Sequence, residues 1–142
     1  MDQDKQVLRR ICKATELGQS GIRAVMKSAQ ESAMRQALGA QLREYDAIHR
    51  QADKLLADRG ESAPRIPKLV QKVTAVGRRV NTRRYGSSSA IAEMMIEGNT
   101  KGMVKSIREN RAYHALDPKV SGLGNRLLQT ELANIEQMKP FL

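Results

Sequence analysis

Six polar residues sit where helical periodicity demands apolar ones, and they carry most of the chemistry this sequence can offer: Thr15, Gln19, Gln41, Tyr45, Asn99 and Glu131. At about 100° per residue, Ala92, Met95, Ile96, Met103 and Ile107 share one helical face with Asn99 near its centre. Val120, Leu127, Leu128, Ile135 and Met138 share another, and Glu131 lies at its centre. A carboxylate in an apolar stripe has three uses: to bind a cation, to hold a proton, or to accept hydrogen bonds that fix how helices register. Burial should raise its pKa. Folding the last two helices antiparallel about residue 115 sets Asn99 beside Glu131, and folding the first two about residue 30 sets Gln19 beside Gln41 and Thr15 beside Tyr45. The plain reading of Glu131 is a buried acid satisfied by Asn99, Gln41 or Tyr45.

These side chains need helices to carry them. The spacing predicts a helix over 4–30, with Leu8, Ile11, Cys12, Ile22, Val25 and Met26 on its inner face, and a second over 32–58 with Met34, Leu38, Ile48, Leu55 and Leu56. The turn near residue 30 has no Gly or Pro to mark it. Gly60, Pro64 and Pro67 end the second helix clearly. A short crossover helix is expected over 68–84, where Leu69, Val73, Val76 and Val80 recur at helical spacing. Ser residues 87–89 then supply an N-cap for a helix over 88–110, and Asp117-Pro118 an N-cap and first turn for one over 118–139. The expected fold is all-α: a four-helix bundle of two antiparallel hairpins with an extra crossover helix, one domain over residues 1–142. Few aromatic residues, four prolines and abundant Ala, Leu, Met, Glu, Lys and Arg agree with it.

Two helical hairpins, a long crossover and a polar centre resemble the ferritin-like superfamily. The stretch IAEMMIEGNTKGMVKSIREN and the final LGNRLLQTELANIEQMKPFL also look like small uncharacterised bacterial ferritin-like proteins, including relatives of spore-coat proteins. The resemblance implies a metal site in which two helices each give a Glu and the other two a Glu-x-x-His. Residue by residue the pattern is incomplete. Asp46-Ala47-Ile48-His49 comes nearest, but Asp46 lies about 120° from its stripe and His49 at the edge. In Glu131-Leu132-Ala133-Asn134 the His is an Asn. Glu16 and Glu97 point outward. One inward carboxylate does not hold two divalent ions, which need several anionic or imidazole ligands.

The expected function is therefore a non-enzymatic structural or protein-interaction role, with no cofactor and a degenerate metal site. A metal-binding redox protein holding iron or manganese through Glu16, Asp46, His49, Glu97 and Glu131 is the first alternative. The second follows from charge. The chain carries a net +10, and residues 59–84 hold eight basic residues against the single acid Glu61. Lys68, Lys72, Arg79 and Arg83 fall on one side of the expected crossover helix and suit phosphates or an acidic protein partner. Aromatic residues for base stacking are nearly absent, which weighs against nucleic acid. Met94, Gly98 and Gly102, with Ile91, form a small-residue face for the crossover helix or for the second copy of a homodimer. No apolar run would span a membrane, and the N-terminus lacks the apolar core of a secretory signal. The lone Cys12 forms no internal disulfide and reads as a small core hydrophobe, so the expected setting is cytoplasmic. His114 reads as a loop residue. There is no phosphate-binding Gly loop, no zinc-type Cys pair and no Ser/His/Asp arrangement.

Overall fold

The computed structural model describes residues 2–62 and 87–142. The expected crossover helix and the basic strip Lys68, Lys72, Arg79 and Arg83 lie outside the described residues. Within them the chain forms four long helices and no strand: α1 (Gln3–Met26), α2 (Ser32–Ala57), α3 (Ser88–Ala112) and α4 (Pro118–Met138), followed by a 3-10 turn over Lys139–Phe141.

Local chemistry sets the helix starts. Asp2, Ser87 and Asp117 each turn a side-chain oxygen onto a first-turn amide, at 3.0 Å to Asp4, 3.2 Å to Ala90 and 2.9 Å to Lys119. Such caps are each worth about 1 kcal/mol. Pro118 follows its cap at the position where a missing N–H costs nothing.

The first helix stops at Met26, four residues before the expected end at 30. A side chain from the next helix explains this. Arg35 Nη1 donates to the carbonyl oxygens of Met26 and Ala29, both at 3.0 Å, so an arginine satisfies acceptors that the helix end leaves open. The turn between α3 and α4 contains Ala115 at φ 64°, in the left-handed region that glycine occupies more cheaply.

Cross-helix contacts lay out the bundle. Along α1 and α2, Thr15 meets His49 and Gly18 meets Tyr45. Along α3 and α4, Asn110 meets Asn125, Ser106 meets Glu131 and Asn99 meets Asn134. Gln41 and Glu44 tie α2 to α4 through Gln137 and Arg126, while Gln6 and Arg10 tie α1 to α3 through Tyr113 and Glu109. Glu61 pairs with Arg9 and Lys5 near the start of α1, whereas Ser88 donates to Glu31 in the turn that follows α1. A helix of 24 residues separates those two places, about 36 Å.

Leu8, Ile11, Ile22, Met34, Leu38, Ile48, Leu56, Ile91, Leu127 and Met138 are wholly enclosed between the helices. Each contributes about 1.5–3 kcal/mol of transfer free energy. The inner faces of α3 and α4 are rotated from the expected ones. Ile91 and Met94 enter the core, Met103 and Ile107 are only half-buried, and on α4 Leu123, Gly124, Thr130 and Asn134 are buried where Leu128 and Ile135 are not. The expected small-residue face is thereby divided. Gly102 lies against Glu131 of α4, and no described residue comes within 4 Å of a β-carbon at Gly98. No helix among the described residues is long and apolar enough to cross a membrane.

Candidate functional site

All six polar residues singled out above are buried, but they meet other partners than the expected ones. They fall into three hydrogen-bonded groups, with the two buried amides Gln19 and Gln41 apart from them.

The first group joins three helices. Tyr45 Oη on α2 donates to Asn99 Oδ1 on α3 at 2.8 Å. Asn134 Nδ2 on α4 lies 3.2 Å from Tyr45 Oη and 3.3 Å from Asn99 Oδ1. Asn99 turns its own Nδ2 back to the Met95 carbonyl at 2.7 Å. The phenol thus donates once and accepts once, and Asn99 uses both its oxygen and its nitrogen inside the protein. Burial, and then the negative field of Glu131, push the Tyr45 hydroxyl above its ordinary pKa. On α1, Gly18 gives the Tyr45 ring its space, since a β-carbon there would fall 2.8 Å from the ring.

The second group is a chain of charges. Ser106 Oγ donates to Glu131 Oε1 at 2.6 Å, and Arg10 Nη2 approaches Ser106 Oγ at 3.4 Å. Arg10 Nε is ion-paired with Glu109. Glu131 is 3% exposed, and burial raises its carboxyl to about 7, against smaller lowering contributions from Ser106 and Arg10. Burial likewise raises Glu109, which Arg10 draws back down. Of the donors of Gln41, Asn99 and Tyr45 expected around Glu131, none bonds it; they donate to Gln137, the Met95 carbonyl and Asn99 respectively. Its donor is Ser106, two turns along α3 from Asn99.

Thr15 and His49 form a separate contact. Thr15 Oγ1 lies 2.8 Å from the Ile11 carbonyl oxygen and 3.0 Å from His49 Nδ1. With the hydroxyl proton directed at that carbonyl, His49 Nδ1 is the donor in this contact. Gln19 and Gln41 do not pair as expected. Gln41 Nε2 donates to Gln137 Oε1 at 3.0 Å, while Gln41 Oε1 and Gln19 Nε2 have no partner among the described residues.

The residues of the metal alternative stay apart. Asp46 is held by Arg50 at 2.9 Å on its own helix, Glu97 is exposed, Glu16 is half-buried, and His49 is engaged with Thr15. Among the described residues no three His, Cys, Asp or Glu side chains cluster closely enough to hold a metal ion. Among the described residues the donor set does not fit a carboxylate-bridged metal pair, because Glu131 connects to Glu109 only through Ser106 and Arg10, and that arginine already pairs with Glu109. Cys12 is buried, and burial followed by Asp53 and Glu16 pushes its thiol to about 11, away from the reactive thiolate.

Sequence reading missed Ser106, Arg10 and Glu109, gave Asn134 no bond of its own, and set Gly102 on a small-residue face without its contact to Glu131. Ser106 did carry a signal, because it repeats Asn99 after seven residues and so falls on the same helical face. The chain matches no protein-family model, no curated protein and no solved structure.

Proposed function

We propose that this protein is a non-enzymatic helical bundle that serves a structural or protein-interaction role, built on a ferritin-like frame of two antiparallel hairpins without a complete metal site. One observation carries the reading: the buried polar groups where such a frame would hold metal ligands are turned upon one another. Tyr45, Asn99 and Asn134 satisfy each other across three helices, and Glu131 is bonded to Ser106. A metal centre needs carboxylates or imidazoles that converge with free lone pairs. A polar layer of this kind instead fixes which helix faces which, since any slip leaves buried donors and acceptors unmade.

Metal analysis tests the reading. Protein purified without chelator, and again after anaerobic addition of ferrous iron or manganese, is expected to carry well under one equivalent per chain. Two equivalents, lost in Glu131→Ala, would sink it in favour of an oxidative metalloprotein.

A further inference from the structure

The turn between α1 and α2 forms a shallow depression of about 440 Å³, open to solvent and lined by Arg23, Met26, Lys27, Arg35 and Leu42. Three of the five lining residues are cations and none is an acid. The three cations are exposed at its rim, and the two apolar side chains are half-buried. Arg23 and Lys27 form no ion pair among the described residues, in contrast to Arg10, Arg59 and Arg126, which are each matched to a carboxylate. Arg35 is fixed by the Met26 and Ala29 carbonyls through one nitrogen, Nη1, so its guanidinium is held in place.

We infer that this depression is a docking site for an acidic segment of a partner protein, one that sets an apolar side chain between flanking carboxylates. The inference rests on the interaction role proposed above and names its partner's chemistry. Charge complementarity selects an anion, and an arginine clamped at one nitrogen offers its remaining N–H groups to a carboxylate at little entropic cost. Met26 and Leu42 require that the anion bring an apolar group, and methionine adapts to the shape of what it receives. The open form suits a side chain presented by a larger surface better than a small molecule, whose sites enclose most of the ligand. Among the described residues no aromatic side chain lines the depression, so a nucleic acid would find none of them to stack on. Nor is this chain's own stretch 63–86 a suitable occupant, since it carries seven basic residues and no acid.

The test is a titration of isotope-labelled full-length protein with the peptide acetyl-Glu-Asp-Leu-Asp-Glu-amide, followed by amide and arginine side-chain NMR shifts. Shifts are expected first at Lys27, Arg35 and Leu42. The exposed double variant Arg23→Glu, Lys27→Glu should weaken binding about tenfold or more, and Arg23→Gln, Lys27→Gln, which is gentler on the helix end, about threefold. Replacing the peptide's Leu by Ser at constant charge should weaken it several-fold. Three outcomes overturn the site: binding equal in the wild type and both variants, equal affinity for the Leu and Ser peptides, or shifts confined to residues 63–86. The last would leave an interaction role standing while removing this site, whereas metal uptake in the assay above would remove the role itself.

Discussion

A β-carbon placed on Gly102 would fall 1.9 Å from Glu131 Oε2. The buried acid occupies the space that any other residue at 102 would fill, so the glycine on α3 and the carboxylate on α4 are a matched pair.

That contact makes two glycines, one turn apart on the same helix, respond in opposite ways. Gly102→Ala should destabilise the protein by about 1–3 kcal/mol, because the methyl group and the carboxylate cannot share the site without displacement. Gly98 has nothing among the described residues within 4 Å of such a carbon. Gly98→Ala should therefore stabilise by roughly 0.5–1 kcal/mol through helix propensity alone. Urea denaturation of the two variants measures both; equal effects would contradict the pairing.

Glu131 should make stability fall as pH rises. Its carboxyl is raised from 4.5 to about 7 in the folded protein. The folded state therefore binds the proton more tightly than the unfolded chain does, and the stability this supplies is complete below about 4.5 and lost as pH climbs through about 7. The full amplitude is roughly 2–4 kcal/mol. Glu131→Gln keeps an oxygen for Ser106 and removes the charge. Against wild type, its stability should decline less between pH 5 and 8. Parallel pH profiles for the two proteins would refute the assignment.

Tyr45→Phe should cost about 1–3 kcal/mol, since it strips a buried hydroxyl from both Asn99 and Asn134 and leaves them only their 3.3 Å contact with each other. The double variant with Asn99→Leu should cost less than the two single changes added together, which a double-mutant cycle would detect. In wild type the Tyr45 phenol should ionise only above the ordinary tyrosine range, as followed by ultraviolet absorbance.

Ala115→Gly should stabilise by about 0.5–1 kcal/mol, the relief of a left-handed alanine being larger than the entropy glycine adds to the unfolded chain. Thermal melts settle the sign. Lower stability would mean that the turn does not hold residue 115 in that conformation.

The sequence showed which faces of α1 and α2 turn inward, gave those of α3 and α4 only with a rotation, and did not show which residues meet. Thr15, Gln19, Gln41, Tyr45, Asn99 and Glu131 stood out because a helix repeats every 3.6 residues and they interrupt apolar stripes. The same period hides the register. Sliding one helix past another by three or four residues leaves the inward faces almost unchanged, and that is the size of the error. Thr15 meets His49 instead of Tyr45, and Asn99 meets Asn134 instead of Glu131. What fixes the register lies in the turns: Arg35 closing the end of α1, and Ala115 in its left-handed bend. Neither a capping arginine from the following helix nor a left-handed alanine has a signature in the local sequence. Gly102 was legible as a place of close approach, yet only its contact with Glu131 shows what approaches.

The bonds between the two halves have a consequence for how this chain can change over generations. Tyr45 with Asn99, Gln41 with Gln137, Arg10 with Glu109 and Glu44 with Arg126 each join a residue of 2–62 to one of 87–142. An amphipathic hairpin with the right oily stripe but other polar residues would leave these groups stranded. Each half therefore acts as a lock cut for the other, and substitutions at one member of a pair should persist only where the other has altered with it.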